Sequence, residues 1–434
     1  MIKPLTLKNI IAFSFMTFAL FVGAGNIVFP PMIGIQSGEN IFISGFGYLI
    51  TAVGLPICTI IALARSEGGM EALCEPVGKK AGLLLIIACY VIIGPLFALP
   101  RTAMISFQSG IEPLFHCNNT LLAFLIYSAI YFIIVALLSL YPSKLLKIIG
   151  FFLAPIKIGS LIILIFSIFL ISSKNHTLIS PTTPYNNAPF SNGFLNGYLT
   201  MDALGALVFG SVVISSMKFR GIQEHKLLMR YTIIAGIIAS IGLTIVYISL
   251  FKLGYIYASL IDQHSNGISI LNRYIHHDFG IFGDLFFSVL IIISCIVTSV
   301  GLTCAWADFF SKTYKLNYKL LVCILSCFSM LLSSIGLNIL VQFSIPVLTI
   351  IYPIWILLIM LSFTKNWWYK SERVFKPTIL VSFIFSILDS LKTIFYNSEF
   401  LVIHFPFMVN ISWILPVIIV LIICAVVDLV KGYS

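Results

Sequence analysis

The stretch Phe21-Val22-Gly23-Ala24-Gly25-Asn26-Ile27-Val28-Phe29-Pro30-Pro31 constrains this chain more than any other. It lies inside an apolar run that opens near Ile10 and is long enough to cross a bilayer. Two glycines, an alanine and an asparagine stand where a spanning helix would carry Leu or Ile, and two prolines follow. Glycine loses the most entropy in a helix, and each proline withdraws a backbone donor. At membrane depth such backbone persists only where protein or a water-filled cavity satisfies its polar groups. The stretch therefore predicts a discontinuous helix whose freed amides and carbonyls can hold an anion and a cation. A small-residue helix-packing face is the other reading of the same residues.

Of the 434 residues, 60% are hydrophobic and 9% charged, which excludes an ordinary soluble domain. Apolar runs recur at roughly 9–35, 42–64, 81–108, 120–140, 145–172, 194–217, 229–254, 282–311, 318–336, 338–362, 377–396 and 411–430. They predict an all-α polytopic membrane protein of about twelve transmembrane helices. The alternating segments of a membrane barrel do not dominate. The first run has a basic lead, Lys3 and Lys8, but continues past Gly25 without a small-residue cleavage site, so it is expected to remain as a span.

Most basic residues fall before the first run, after the even-numbered runs, and at the end. They are Lys3 and Lys8; Arg65, Lys79 and Lys80; Lys144 and Lys147; Lys218, Arg220, Lys226 and Arg230; Lys312, Lys315 and Lys319; Lys365, Lys370, Arg373 and Lys376; and Lys431. The positive-inside rule then places both termini in the cytoplasm and accounts for the net charge of +10 without nucleic acid. Nine cysteines show no disulfide or metal spacing; Cys323 and Cys327 share a helix face, and Cys117 falls in a predicted outer loop. Residues 173–193, rich in Ser, Pro, Asn and Thr, read as a linker. Residues 255–281 carry Asp262, His264, Arg273, His276, His277 and Asp278. A metal could bind there, but solvated loop residues with a short amphipathic stretch over the outer vestibule are the better account.

The sixth run opens Asn196-Gly197-Tyr198-Leu199-Thr200-Met201-Asp202-Ala203-Leu204-Gly205. Small residues again interrupt an apolar run, now beside a carboxylate. A carboxylate inside a span costs a few kcal/mol, so Asp202 needs a partner or a cavity unless it snorkels to the interface. Breaks opening two corresponding halves point to an inverted-repeat transporter. In the eighth run, Thr298 and Ser299 offer adjacent hydroxyls to a hard cation, or bond their own backbone. Lys157 lies mid-span and must pair, titrate or face water. Arg101, after Pro100, is expected at an outer gate or at the outer interface. No Gly-x-x-x-x-Gly-Lys-Ser/Thr loop or cofactor motif occurs, and the short loops leave no room for a catalytic domain. The chain is therefore not expected to be an enzyme, and active transport would draw on an ion gradient.

Nearly the full chain resembles the bacterial branched-chain amino acid:cation symporters. The resemblance is carried by Phe13 to Asn26 with Phe29-Pro30-Pro31, by Gly94-Pro95-Leu96-Phe97-Ala98, and by Phe190-Ser191-Asn192-Gly193-Phe194 running into Gly197 to Asp202. Thr298 to Cys304, Ser344-Ile345-Pro346-Val347-Leu348 and Ile351-Tyr352-Pro353 complete it. It implies a five-plus-five inverted-repeat core with broken helices 1 and 6: a first repeat over 1–172, a second over 194–362, and peripheral helices 11 and 12 over 377–430. The implied function is import of leucine, isoleucine and valine with sodium across the bacterial cytoplasmic membrane, without a cofactor. Sodium, the only metal, would meet the carbonyls of Ala19, Val22 and Cys295 and the hydroxyls of Thr298 and Ser299; Cys295 stands where relatives carry alanine. The substrate carboxylate would meet the chain at Gly23, Ala24, Gly25 and Asn26, where the helix dipole is positive. Its amine would meet Asp202 or freed carbonyls from Ala203 to Gly205. Some proton-coupled relatives place a span-five lysine where sodium would sit, so Lys157 is the alternative coupling residue; a passive channel is a further one.

Overall fold

The computed structural model describes residues 7–66, 68–115, 120–141, 149, 152–170, 180–222, 224–257, 266–394 and 411–433. Lys3, Cys117, Lys144, Lys147, Asp262 and His264 lie outside them. The described residues form helices and no strand. In chain order these are α1 (Leu7–Phe21), α2 (Ala24–Ser37), α3 (Ile41–Leu49), α4 (Leu55–Arg65), α5 (Gly69–Cys74), α6 (Lys79–Val91), α7 (Ala98–Gly110), α8 (Thr120–Ser139) and α9 (Ala154–Leu170). The second half holds α10 (Thr183–Asn187), α11 (Pro189–Asn196), α12 (Asp202–Phe219), α13 (His225–Tyr257), α14 (Gly267–Tyr314), α15 (Tyr318–Ser333), α16 (Leu337–Phe363), α17 (Ser371–Ile394) and α18 (Ile414–Tyr433).

Among the described residues, eight helical stretches are long and apolar enough to cross a membrane, and shorter apolar helices cover Lys8–Phe21, Ala154–Leu170, Tyr318–Ser333 and Ile414–Val430. The first span is broken between α1 and α2, and the sixth between α11 and α12. The third is distorted as well. A wide turn over Ile92–Leu96 joins α6 to α7, with Gly94 off the helical path (φ −76°, ψ −108°) and Pro95 beside it. Exposed apolar side chains on α8 (Leu121, Ile130), α15 (Leu320, Phe328) and α18 (Leu415, Ile422) suit a lipid surround.

The linker expected over 173–193 is helical where described: α10 and α11 occupy Thr183–Asn187 and Pro189–Asn196. Each carries proline in its first turn, where the missing N–H costs nothing and the fixed φ favours a helix start. The sixth span therefore begins before residue 194. The histidine-bearing segment is also helical, from Gly267 to a kink at Gly280 (φ 58°). There His276 contacts Asp284 at 2.7 Å and His277 contacts Asp278 at 2.6 Å. Among the described residues no His, Cys, Asp and Glu groups gather into a metal site.

Backbone-to-backbone approach fixes the second half of the first span. A Cβ on Gly254 of α13 would lie 2.0 Å from the Pro31 carbonyl oxygen, and one on Gly34 of α2 would lie 2.3 Å from that of Phe251. The two helices meet with no side chain between them, as small residues allow in membranes. At the other end, fully buried Asp428 of α18 accepts from the amides of Tyr369 (2.7 Å) and Lys370 (3.1 Å), tying the last helix to the turn before α17.

Candidate functional site

α1 stops at Phe21, which leaves the carbonyls of its last turn without partners four residues on. Phe18 O still has its helical donor, Val22 N at 3.0 Å, and the others find another: Phe21 O accepts from Gly23 N at 2.6 Å. Leu20 O meets the Thr298 hydroxyl at 3.4 Å. Ala19 O accepts from Lys157 Nζ at 2.7 Å, and Val22 O accepts from the same amine. The third acceptor of Lys157 is Ser294 O, at 3.3 Å. The Lys157 amine, fully buried on α9, thus sits in a cage of carbonyls from the break and from α14.

Across the break, α2 begins at Ala24 with Gly23 as N-cap. Glycine has no side chain to cap the first turn, so the amides of Ala24, Gly25 and Asn26 keep their hydrogen-bonding capacity. The Asn26 side chain instead reaches back, its Oδ1 accepting from Gly23 N at 2.8 Å. That contact turns the Asn26 amide nitrogen toward Asp202, where it donates to Oδ1 at 2.8 Å and Oδ2 at 2.7 Å. The Tyr247 hydroxyl of α13 donates to Oδ2 of Asp202, and Asn26 Nδ2 contacts the same hydroxyl.

Asp202 opens α12 after a short turn over Gly197–Thr200 and Met201 in the left-handed region (φ 60°). A non-glycine residue held there costs about 1–3 kcal/mol, a strain that clusters at functional sites. The turn frees the Leu199 carbonyl, which accepts from Nη1 of Arg101 at 2.8 Å. Arg101 lies on α7, is 4% exposed, and stacks over Phe29 of α2 at 5.3 Å. Both breaks and α7 enclose a cavity of about 30 Å³, lined by Gly23, Ala24, Gly25, Asn26, Arg101, Asp202, Gly205 and Thr298, with apolar walls from Phe21, Ile93, Phe209 and Leu302. Ordinary ligand pockets span about 300–1,000 Å³, so this one is contracted.

The expected substrate residues Gly23, Ala24, Gly25, Asn26, Asp202 and Gly205 all line this cavity; Ala203 is buried without lining it. The carbonyls expected to be free from Ala203 to Gly205 lie inside the first turn of α12 and serve the helix. The freed ones precede Asp202.

The atoms expected to meet sodium have protein partners in this structure. Ala19 and Val22 carbonyls hold Lys157, and the α14 carbonyl facing that amine belongs to Ser294, one residue before Cys295. The Ser299 hydroxyl is engaged by Thr102 (2.7 Å) and Tyr131 (2.8 Å), and Thr298 by Leu20 O. The Lys157 amine occupies the carbonyl cage. Arg101 is buried and lines the cavity rather than reaching an exposed interface; Tyr247 and Met201 carried no sequence signal beyond an apolar helix.

The sequence model of a family described as Branched-chain amino acid transport protein matches residues 6–431. The branched-chain amino acid permease BrnQ of Escherichia coli K12 is 53% identical over 392 residues, covering 90% of this chain and 88% of the relative. A branched-chain amino acid transport system 3 carrier protein of Pseudomonas aeruginosa is 46% identical, covering 98% and 97%. The permease BraB of Bacillus subtilis is 36% identical, covering 99% and 98%. Among solved structures, MhsT in complex with L-phenylalanine superposes with a TM-score of 0.57 at 15% identity, over 88% of this chain and 97% of that one. Mhp1, a nucleobase-cation-symport-1 family transporter in a closed conformation, gives 0.61 at 12% identity, over 97% and 92%. These two likenesses are of fold.

Proposed function

The chain belongs to the branched-chain amino acid transport protein family, and from that premise we propose that it imports leucine, isoleucine and valine by secondary active transport, coupled to protons through Lys157. The family is one of transport proteins, not enzymes. The distribution of basic residues supports a place in the bacterial cytoplasmic membrane with both termini inside.

The observation that carries the coupling is the Lys157 amine on the carbonyls of Ala19, Val22 and Ser294. A protonated amine supplies there the charge that a dissolved cation would bring. Deprotonated, it leaves those carbonyls short of donors and loosens the seam between the first-span break, α9 and α14. The substrate amine goes to the Asp202 side and the carboxylate to the first turn of α2, where the dipole is positive. The aliphatic side chain meets Phe21, Ile93, Phe209 and Leu302. One methylene in such a pocket is worth only about 1–3 kcal/mol, so the three substrates compete.

The test is uptake of labelled leucine into proteoliposomes with pH and sodium gradients imposed separately. Accumulation in sodium-free buffer with an alkaline interior, competed by isoleucine and valine, is the expected result. Accumulation that needs sodium and ignores pH overturns the coupling; no leucine uptake overturns the substrate.

A further inference from the structure

We propose that Arg101 is the residue that recognises the substrate carboxylate, so that the cavity selects zwitterions with a free carboxylate and a free amine. This rests on the cavity being an amino acid site.

Arg101 is 4% exposed and lines the cavity. A buried guanidinium is costly unless it is paired and its donors are used. Here Nη1 donates to the Leu199 carbonyl, but Nε has no hydrogen-bond partner. No ion pair engages the guanidinium among the described residues. The carboxylate that lines the same cavity, Asp202, already accepts from Asn26 and Tyr247. The face of Phe29 gives the cation a partial substitute for an anion.

The free side of the guanidinium points at one place. A Cβ on Gly25 would lie 2.9 Å from Nη2 and 3.4 Å from Cζ, so the fork lies directly over the first turn of α2. Two independent positive features converge there: uncapped helix amides and an arginine with unused donors. An arginine fork matches a carboxylate through two parallel hydrogen bonds, which a lysine cannot reproduce. Asp202 lines the same cavity, also buried, so an α-amino acid can set its carboxylate against Arg101 and its amine against Asp202. Amides, esters and decarboxylated amines lack the anion this arrangement demands.

The experiment compares leucine with leucinamide and leucinol as competitors of labelled leucine, on purified full-length wild type, R101Q and R101K. Wild type should favour leucine over leucinamide by about 100-fold, the scale of a charge-assisted hydrogen-bonded pair. R101Q should lose about 100-fold on leucine while leucinamide stays within about threefold, collapsing the preference. R101K should keep only part of it, losing about tenfold on leucine. Equal affinity of wild type for leucine and leucinamide overturns the proposal without any variant. An intact preference in R101Q, or in R101K should R101Q fail to fold, also overturns it. Wild type that binds no leucine at all overturns the substrate assignment instead.

Discussion

One side-chain amide, that of Asn26, donates to both carboxylate oxygens of Asp202, at 2.8 and 2.7 Å, across 176 residues of sequence. Its own oxygen accepts from Gly23 N, which fixes the orientation of the amide. The breaks of the first and sixth spans are thereby joined through one rigid planar group. A shift of either half-helix must move or part that contact, which makes it the natural place for substrate to be sensed.

The first prediction concerns the charge at this junction. Asp202→Asn keeps the shape but removes the anion, and places an amide nitrogen against the Asn26 amide. Concentrative leucine uptake should fall at least about 100-fold, the cost of a lost buried charge-assisted contact, while the protein remains in the membrane at wild-type level. Near-normal uptake in vesicles with verified expression would remove Asp202 from the site.

Lys157→Met keeps length and apolar stem but loses the exchangeable proton. It should abolish accumulation driven by a pH gradient and retain leucine–leucine exchange, which needs no net proton movement. Exchange and gradient-driven uptake, measured on the same proteoliposomes, separate the two. Retained pH-driven accumulation would show that the amine is structural.

The Thr298→Ala, Ser299→Ala double variant tests the sodium set. Removing the Ser299 hydroxyl leaves Thr102 and Tyr131 short of a partner, at about 1–3 kcal/mol for a buried unsatisfied group. Thermal stability should drop, yet the half-maximal proton concentration for uptake should stay within about threefold, since neither hydroxyl touches Lys157. A new or altered sodium requirement in uptake assays would contradict this.

The breaks were legible because glycine, asparagine, proline and a carboxylate within apolar runs are compositional signals. Lys157 was legible as a buried charge, but its acceptors belong to helices far away in sequence, and no local pattern names them. Arg101 is buried rather than at an exposed interface, because the wide turn over Ile92–Leu96 lets α7 pack its guanidinium against Phe29 and the Leu199 carbonyl, contacts far away in sequence. Tyr247 escaped because a tyrosine in the 33-residue α13 looks like any other core aromatic.

The α2–α13 contact gives a stability prediction. Gly254→Leu brings a side chain onto the Pro31 carbonyl, where even a Cβ would lie 2.0 Å away. Backbone against backbone cannot yield as a flexible side chain would, so the helices must separate, at about 1–3 kcal/mol or more. The thermal midpoint in detergent should fall and uptake should be lost. Gly159→Ala, with nothing within 4 Å of its Cβ, should leave both unchanged.

The tethering of Lys157 has a consequence for membrane voltage. Under the proton coupling proposed above, the amine fixed to α9 stays behind and only its proton crosses. The zwitterion contributes no net charge, so each import is expected to move one positive charge inward, and the return of the empty carrier none. An interior-negative potential is then expected to drive uptake even when both sides share one pH. At 100 mV this is worth about 2.3 kcal/mol for each charge, or roughly 50-fold in leucine accumulation.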